Sequence, residues 1–201
     1  MARTLLLWDA PNIDMTLSGV LGRRASTAER PRFDSLARWL VDQARADTDS
    51  PTVEGCVFIN VPIAEHGPLL GWVKVLLTMG FRVFAKPRQD DSDIDDDMLA
   101  HMALREPDLG RVIVASNDAE AFRDELEALA ARGVECSVLS FTEYSGGYTG
   151  SEGITFIDLE EINELFNGSL PNRVRLEGIP VSGRWFEPSS SLDALLANTN
   201  R

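Results

Sequence analysis

The sequence predicts an α/β protein, a three-layer sandwich around a central parallel sheet of about five strands, and three observations carry that prediction. Short apolar runs recur along the chain, each stopped by turn residues, as in TLLLWD, VEGCVFINV and RVIVA. Strands this uniformly apolar are buried on both faces, which is the habit of parallel sheets. Amphipathic segments of helical length lie between them, and strands alternating with helices close into parallel sheets through right-handed crossovers. At 201 residues the chain suffices for one such domain with its own core. Residues 1–160 are assigned to that domain and 161–201 to a C-terminal extension with a weaker pattern.

Thr4 to Asn12, TLLLWDAPN, opens the chain as a strand that stops abruptly at Asp9, Pro11 and Asn12. Asp14 to Arg32 shows no clean period and carries glycines and Arg23, Arg24, Arg30 and Arg32, so it is expected to be a loop with at most a short helical turn. Phe33 to Ala46 puts Phe33, Leu36, Ala37, Leu40, Val41 and Ala44 on one face of a helix. Val53 to Val61 is the second strand. Pro68 to Met79 is a helix that opens with proline and stops before Gly80, and Phe81 to Ala85 is the third strand. Asp95 to Arg105 is helical with Met98, Leu99, Met102 and Ala103 inward. Arg111 to Ala115 forms the fourth strand, Ala119 to Arg132 a helix closed by Gly133, and Val134 to Leu139 the fifth strand. Ser140 to Gly153 is a loop, Ile154 to Phe166 a short strand followed by a helix, and Val174 to Val181, Arg184 to Phe186 and Leu192 to Leu196 are short terminal elements. Trp8, Trp39 and Trp72 belong to apolar patterns, and core packing is the default for Trp185 as well.

The expected strand order is 3-2-1-4-5. In open α/β sheets ligands bind outside the carboxyl ends of the strands, where the strand order reverses. That order sets the ends of the first and fourth strands side by side, bringing Asp9 and Asp118 together.

The formal net charge is −13, which argues against a protein that simply coats nucleic acid. The acids are concentrated: Gln89 to Asp97, QDDSDIDDD, holds six aspartates in nine positions. Two carboxylates ~4 Å apart repel by about 4 kcal/mol at an effective dielectric near 20, so converging acids need a cation or protons. Of the 19 basic residues only Lys74 and Lys86 are lysine, a bias that suits planar phosphate contacts. Cys56 and Cys136 fall in separate strands and read as buried free thiols, in keeping with a reducing compartment. The first apolar run is too short for a signal peptide or a membrane span, so a cytoplasmic protein without a membrane partner is expected.

Three segments place acids at turns on the expected carboxyl edge: Asp9 with Asn12, Asp95 with Asp96, and Asp118 with Glu120. Hard divalent cations such as Mg²⁺ and Mn²⁺ take oxygen ligands and keep several waters. Acids gathered on a rigid sheet edge would hold such an ion beside a phosphate, where it would activate water and neutralise the leaving oxygen. Asn12 would orient a ligand without adding charge. Arg23 and Arg24, with Ser116 and Asn117, are the candidate nucleic-acid contacts beside it. Each segment also has a purely structural account. Asp9 and Asn12 around Pro11 make an Asx turn, Asn117 and Glu120 a variant capping box, and the aspartate run a solvated helix start favoured by the helix dipole.

These segments resemble an NYN domain, a branch of the PIN-like ribonuclease superfamily. The likeness rests on a strand ending in Asp9-Ala10-Pro11-Asn12, an acidic pair opening a helix in Asp95-Asp96-Asp97-Met98-Leu99, and a strand ending in Ser116-Asn117-Asp118-Ala119-Glu120 followed by Phe122. It covers about Thr4 to Leu139. It implies a flavodoxin-like sandwich and metal-dependent cleavage of RNA, with Asp9, Asp95 or Asp96, Asp118 and Glu120 as ligands to Mg²⁺ or Mn²⁺. Glu120 stands where the family has aspartate, and Asp124 is an alternative match. A second class of function is a non-catalytic domain of the same fold that binds RNA or protein. An aspartyl-phosphate hydrolase fits less well, because residue 11, two after Asp9, is proline where an acid is expected. His66 and His101 show no zinc spacing, no Gly-rich nucleotide loop follows a strand, and a homo-oligomer formed through the extension stays open, without a periodic seam to specify it.

Overall fold

The computed structural model describes residues 2–47, 51–61, 67–88, 94–170, 173 and 179–186. Six parallel strands form one sheet in the order β3-β2-β1-β4-β5-β6: β1 Arg3–Asp9, β2 Thr52–Val61, β3 Arg82–Pro87, β4 Leu109–Ala115, β5 Glu135–Ser140 and β6 Ile154–Asp158. The five expected strands take the expected order, and the short strand near Ile154 adds itself to the β5 edge. This is an α/β fold whose parallel strand order is consistent with the topology that the resemblance implies.

Alternation along β1 sorts the core into two layers, since successive side chains leave a strand on opposite faces. Leu6 and Trp8 face one layer with Val57, Ile59, Ile113 and Leu139, under α1 Ala10–Leu21, α2 Phe33–Asp47 and α3 Gly67–Thr78. Leu5 and Leu7 face the other with Phe58, Val112, Val114 and Val138, under α4 Asp95–Arg105 and α5 Ala119–Ala131. The helices change face across β1, so β1 and β4 flank the point where strand order reverses. Register pairs Trp8 with Ala115 and Asp9 with Phe58, so the carboxyl ends of β1 and β4 lie level while β2 runs three residues farther, to Val61.

Four expectations need correction. Asp14 to Leu21 is helix rather than loop: α1 starts directly after β1 and runs to Leu21, with Ile13, Thr16, Leu17 and Leu21 buried and Gly22 closing it in the left-handed region at φ 67°, while residues 22–32 are the expected loop with one 3-10 turn, Thr27–Glu29. The aliphatic stripe is broken by Thr16, whose hydroxyl is satisfied locally by the Asn12 carbonyl at 2.7 Å. Among the described residues beyond β6 a 3-10 turn, Leu159–Glu161, stands in place of the expected helix, yet Ile162, Leu165, Phe166 and Leu170 are buried in the first core layer. Trp185 is 93% exposed. Arg184 to Phe186 and residues 179–181 form no strand; residues 174–178 and Leu192 to Leu196 lie outside the described residues. Trp8 is fully in the core, Trp39 and Trp72 pack against it, and both cysteines are buried and free. Among the described residues no helix is long and apolar enough to cross a membrane.

Candidate functional site

Asp9 ends β1 and is the N-cap of α1, buried to 3% exposure. Its Oδ1 accepts the Asn12 amide at 3.0 Å, which is the Asx turn expected around Pro11 and satisfies one amide of the open helix end. Its Oδ2 accepts the Ser116 hydroxyl at 3.3 Å across the strand boundary. Ser116 Oγ in turn accepts the Asp118 amide at 3.2 Å, and the Asn12 side-chain oxygen accepts the Asn117 amide at 3.0 Å. The turns that leave β1 and β4 are therefore stitched together through Asp9, Asn12, Ser116 and Asn117.

Asp118, rather than Asn117, caps α5. Its Oδ1 accepts the Glu120 amide at 3.1 Å and the Ala121 amide at 3.2 Å, while its Oδ2 accepts no hydrogen bond among the described residues. Tyr148, buried at 6% exposure, donates its hydroxyl to the Asp118 carbonyl at 3.1 Å. Burial raises the Tyr148 phenol above its ordinary range, and the negative charges of Asp118 and Asp95 push it further the same way. The first turn of α4 therefore lies within electrostatic reach of the same place.

Along that turn the three acids differ. Asp95 is half-buried, Asp96 is exposed, and Asp97 is paired with Lys86 at 2.7 Å. Of the two register candidates, Asp95 is the one whose charge reaches Tyr148. Asp90, Asp91 and Asp93 lie outside the described residues. Glu120 and Asp124 are exposed, four residues apart on one face of α5.

The arginines expected beside the site are mostly occupied. Arg23 grips Glu29 with two nitrogens, at 2.5 and 2.9 Å, Arg30 pairs with Asp14 at 2.8 Å and Arg32 with Asp34 at 2.8 Å. Arg24 is exposed. Arg23 and Arg24 follow the far end of the 12-residue α1, about 18 Å along its axis from Asp9 at 1.5 Å per residue.

No family model and no curated protein matches the sequence. Among solved structures, a protein of unknown function, VPA0982, from Vibrio parahaemolyticus RIMD 2210633 superposes with a TM-score of 0.54 at 16% identity, over 78% of this chain and 94% of the other. The likeness is one of fold alone.

Sequence inspection missed a second cluster. Glu54 Oε1, Cys56 Sγ and His101 Nε2 lie 3.1 to 3.6 Å from one another, close enough that the three could coordinate a metal ion. No local spacing signals it, because Glu54 and Cys56 are on β2 while His101 is on α4. It also sits elsewhere on the sheet. Glu54 pairs with Leu5 and Phe58 with Asp9, an offset of about 13 Å toward the amino edge at 3.3 Å per residue.

The surroundings of that cluster favour an ion-pair network over a metal. Arg3 and Arg105 each donate to Glu54 at 2.8 Å and Arg82 at 2.7 Å. Burial alone would raise the Glu54 carboxyl, but the hydrogen bonds of Arg105 and Arg82 outweigh it and hold the group to about 2. Burial, with the Glu54 charge, pushes the Cys56 thiol up to about 12, away from the thiolate that a metal requires. Burial also lowers His101 in spite of its hydrogen bond to Glu54. A divalent cation here would meet three guanidinium groups at close range.

Proposed function

We propose that this protein is a metal-dependent endoribonuclease whose Mg²⁺ or Mn²⁺ is held at the carboxyl edge by Asp9, Asp118 and Asp95, with Asp96 the alternative to Asp95, and Glu120 or Asp124 completing the acidic set. The observation that supports it is the hydrogen-bonded path from Asp9 through Ser116 to Asp118, doubled by Asn12 to Asn117, at the reversal of strand order. An all-oxygen donor set of this kind fits a hard divalent cation and leaves coordination positions for water and a phosphate oxygen. When bound, such an ion would activate water for attack on phosphorus and neutralise charge on the leaving oxygen. Asp118 meets α5 through Oδ1 and offers Oδ2 to the ion. Ser116 and Asn12 fix the turns so that the carboxylates need no reorganisation on binding. Asn12 and Asn117 supply uncharged contacts for a sugar-phosphate strand, and Arg24 a cation farther along its path.

Single-stranded and hairpin RNA incubated with Mn²⁺ tests this. The wild-type protein should cut the chain internally, and Asp118→Asn should lower the rate about a hundredfold or more. Full-rate cleavage by that variant would refute the assignment.

One observation favours a second reading, a non-catalytic domain that binds RNA or protein. Arg23, Arg30 and Arg32 spend their charge on neighbouring acids rather than on an open basic face. RNA retained without turnover, at equal affinity in the wild-type and Asp118→Asn proteins, would support it.

A further inference from the structure

The acids on the carboxyl edge are braced from a direction that neither strand order nor motif spacing reveals. After β5 the chain forms a seven-residue 3-10 turn, Thr142–Tyr148, anchored at both ends. At its start the amide and hydroxyl of Thr142 donate to Asp158 Oδ2, at 2.8 and 2.5 Å. At its end Tyr148 holds the Asp118 carbonyl, and Gly147 lies so close to α5 that an added Cβ would come within 2.5 Å of the Ala119 Cβ. Midway, Tyr144 crosses Gly19 of α1, where an added Cβ would fall 2.1 Å from the phenol oxygen. The turn therefore spans the two helices whose amino ends carry Asp9 and Asp118.

What fixes the start of this turn is one side chain from beyond β6. Arg173, 6% exposed, donates to Asp158 at 2.9 and 2.7 Å, to Glu143 at 2.8 and 2.5 Å and to Glu160 at 2.5 Å, and lies 5.5 Å from the centre of the Phe141 ring. Glu160 also accepts the Leu170 amide at 2.8 Å, which ties the incoming chain to the same carboxylates. Without the guanidinium, three acids would face one another across the space it fills, and Glu143, inside the turn, would be driven away from Asp158.

We propose that Arg173 and Tyr148 are positioning residues for the metal site. Arg173 locks the start of the 142–148 turn, the turn carries that constraint to Tyr148, and Tyr148 holds the Asp118 main chain in the geometry that points Oδ2 at the ion. The segment after β6 thereby sets how well the edge binds its cation. This rests on the metal-site reading above, and it makes a claim about metal-free protein as well.

The test is a double-mutant cycle on the full chain, with Mn²⁺ affinity read by electron paramagnetic resonance. Tyr148→Phe and Arg173→Gln should each weaken Mn²⁺ binding about tenfold, the scale of one hydrogen bond. The double variant should be no weaker than Arg173→Gln alone, because both act along one path. Arg173→Lys should recover part of the loss. Losses that add in the double variant, or unchanged affinity, would overturn the proposal.

Amide exchange in metal-free protein separates this from failure of the metal reading. Arg173→Gln and Tyr148→Phe should both speed exchange at Glu120 and Ala121, whose amides the Asp118 carboxylate holds. Unchanged exchange there overturns the positioning claim whether or not metal binds. Absence of Mn²⁺ binding in the wild-type protein, or equal binding in Asp118→Asn, counts against the metal reading alone.

Discussion

At the scale of single residues, Asp9 and Asp118 each cap a helix, and each is proposed to have a second task as a metal ligand. Both are N-caps, so the structural account of the Asp9 motif is correct as far as it goes, whereas after β4 the cap is Asp118 and not the expected Asn117. What a cap does not require is a hydrogen-bonded bridge through Ser116 to the other turn. The two roles separate by substitution, because serine caps a helix about as well as aspartate but supplies no carboxylate. Asp118→Ser should keep the urea midpoint close to that of the wild-type protein, a change of about 0.5 kcal/mol or less, while abolishing Mn²⁺ binding. Retained metal binding would show that Asp118 is a cap and nothing more. Which acid of the aspartate run takes part was not legible in the sequence, because Asp95, Asp96 and Asp97 differ only in which way a helical turn faces. Packing distinguishes the three: Asp97 meets Lys86, Asp96 faces solvent, and Asp95 is half-buried, which is why Asp95 is the preferred ligand in the proposal.

At the scale of elements, the most consequential difference from the sequence-based expectation is α1. Gly19, Gly22 and a polar Thr16 on the buried face blur its period: Gly22 is a left-handed stop and the Thr16 hydroxyl is satisfied by its own helix, whereas Gly19 admits the passage of Tyr144. Tertiary contacts of this kind leave no local signature. The clamp between β2 and α4 was equally hidden, since Glu54, His101 and Arg105 are brought together only by the fold. Its effect on stability has a defined sign. A carboxyl held at about 2 instead of 4.5 stabilises the folded state above the ordinary value, and that contribution is lost as pH falls from 4.5 toward 2. The shift corresponds to about 3 kcal/mol. Urea midpoints of wild-type and Glu54→Gln proteins should therefore differ most at neutral pH and converge between pH 4.5 and 2. A difference that stays constant down to pH 2.5 would show that the ion pairs contribute nothing.

At the scale of the whole molecule, a chain of −13 net charge is arranged so that its acids are not equivalent. Some are neutralised in arginine clusters, at Glu54 on the amino side of the sheet and at Asp158, Glu143 and Glu160 around Arg173. The aspartates at the ends of β1 and β4 are instead held by amides and hydroxyls. That difference is the ground for proposing the cation at the carboxyl edge rather than at the Glu54 cluster. The parallel order of β1 to β5 was legible because each strand is a short apolar run separated by a helix, and chirality leaves few ways to connect them. The chain beyond β6 was not, because its buried residues, Ile162, Leu165, Phe166 and Leu170, have helical spacing, yet the backbone enters the left-handed region at Glu164, φ 58°, and the segment docks as an irregular strap against the Phe141 side of the core. The most direct test of the account is an anomalous difference map from crystals soaked in Mn²⁺. The account predicts one strong peak bounded by Asp9, Asp95 and Asp118. A peak between Glu54, Cys56 and His101 with none at the carboxyl edge would contradict it.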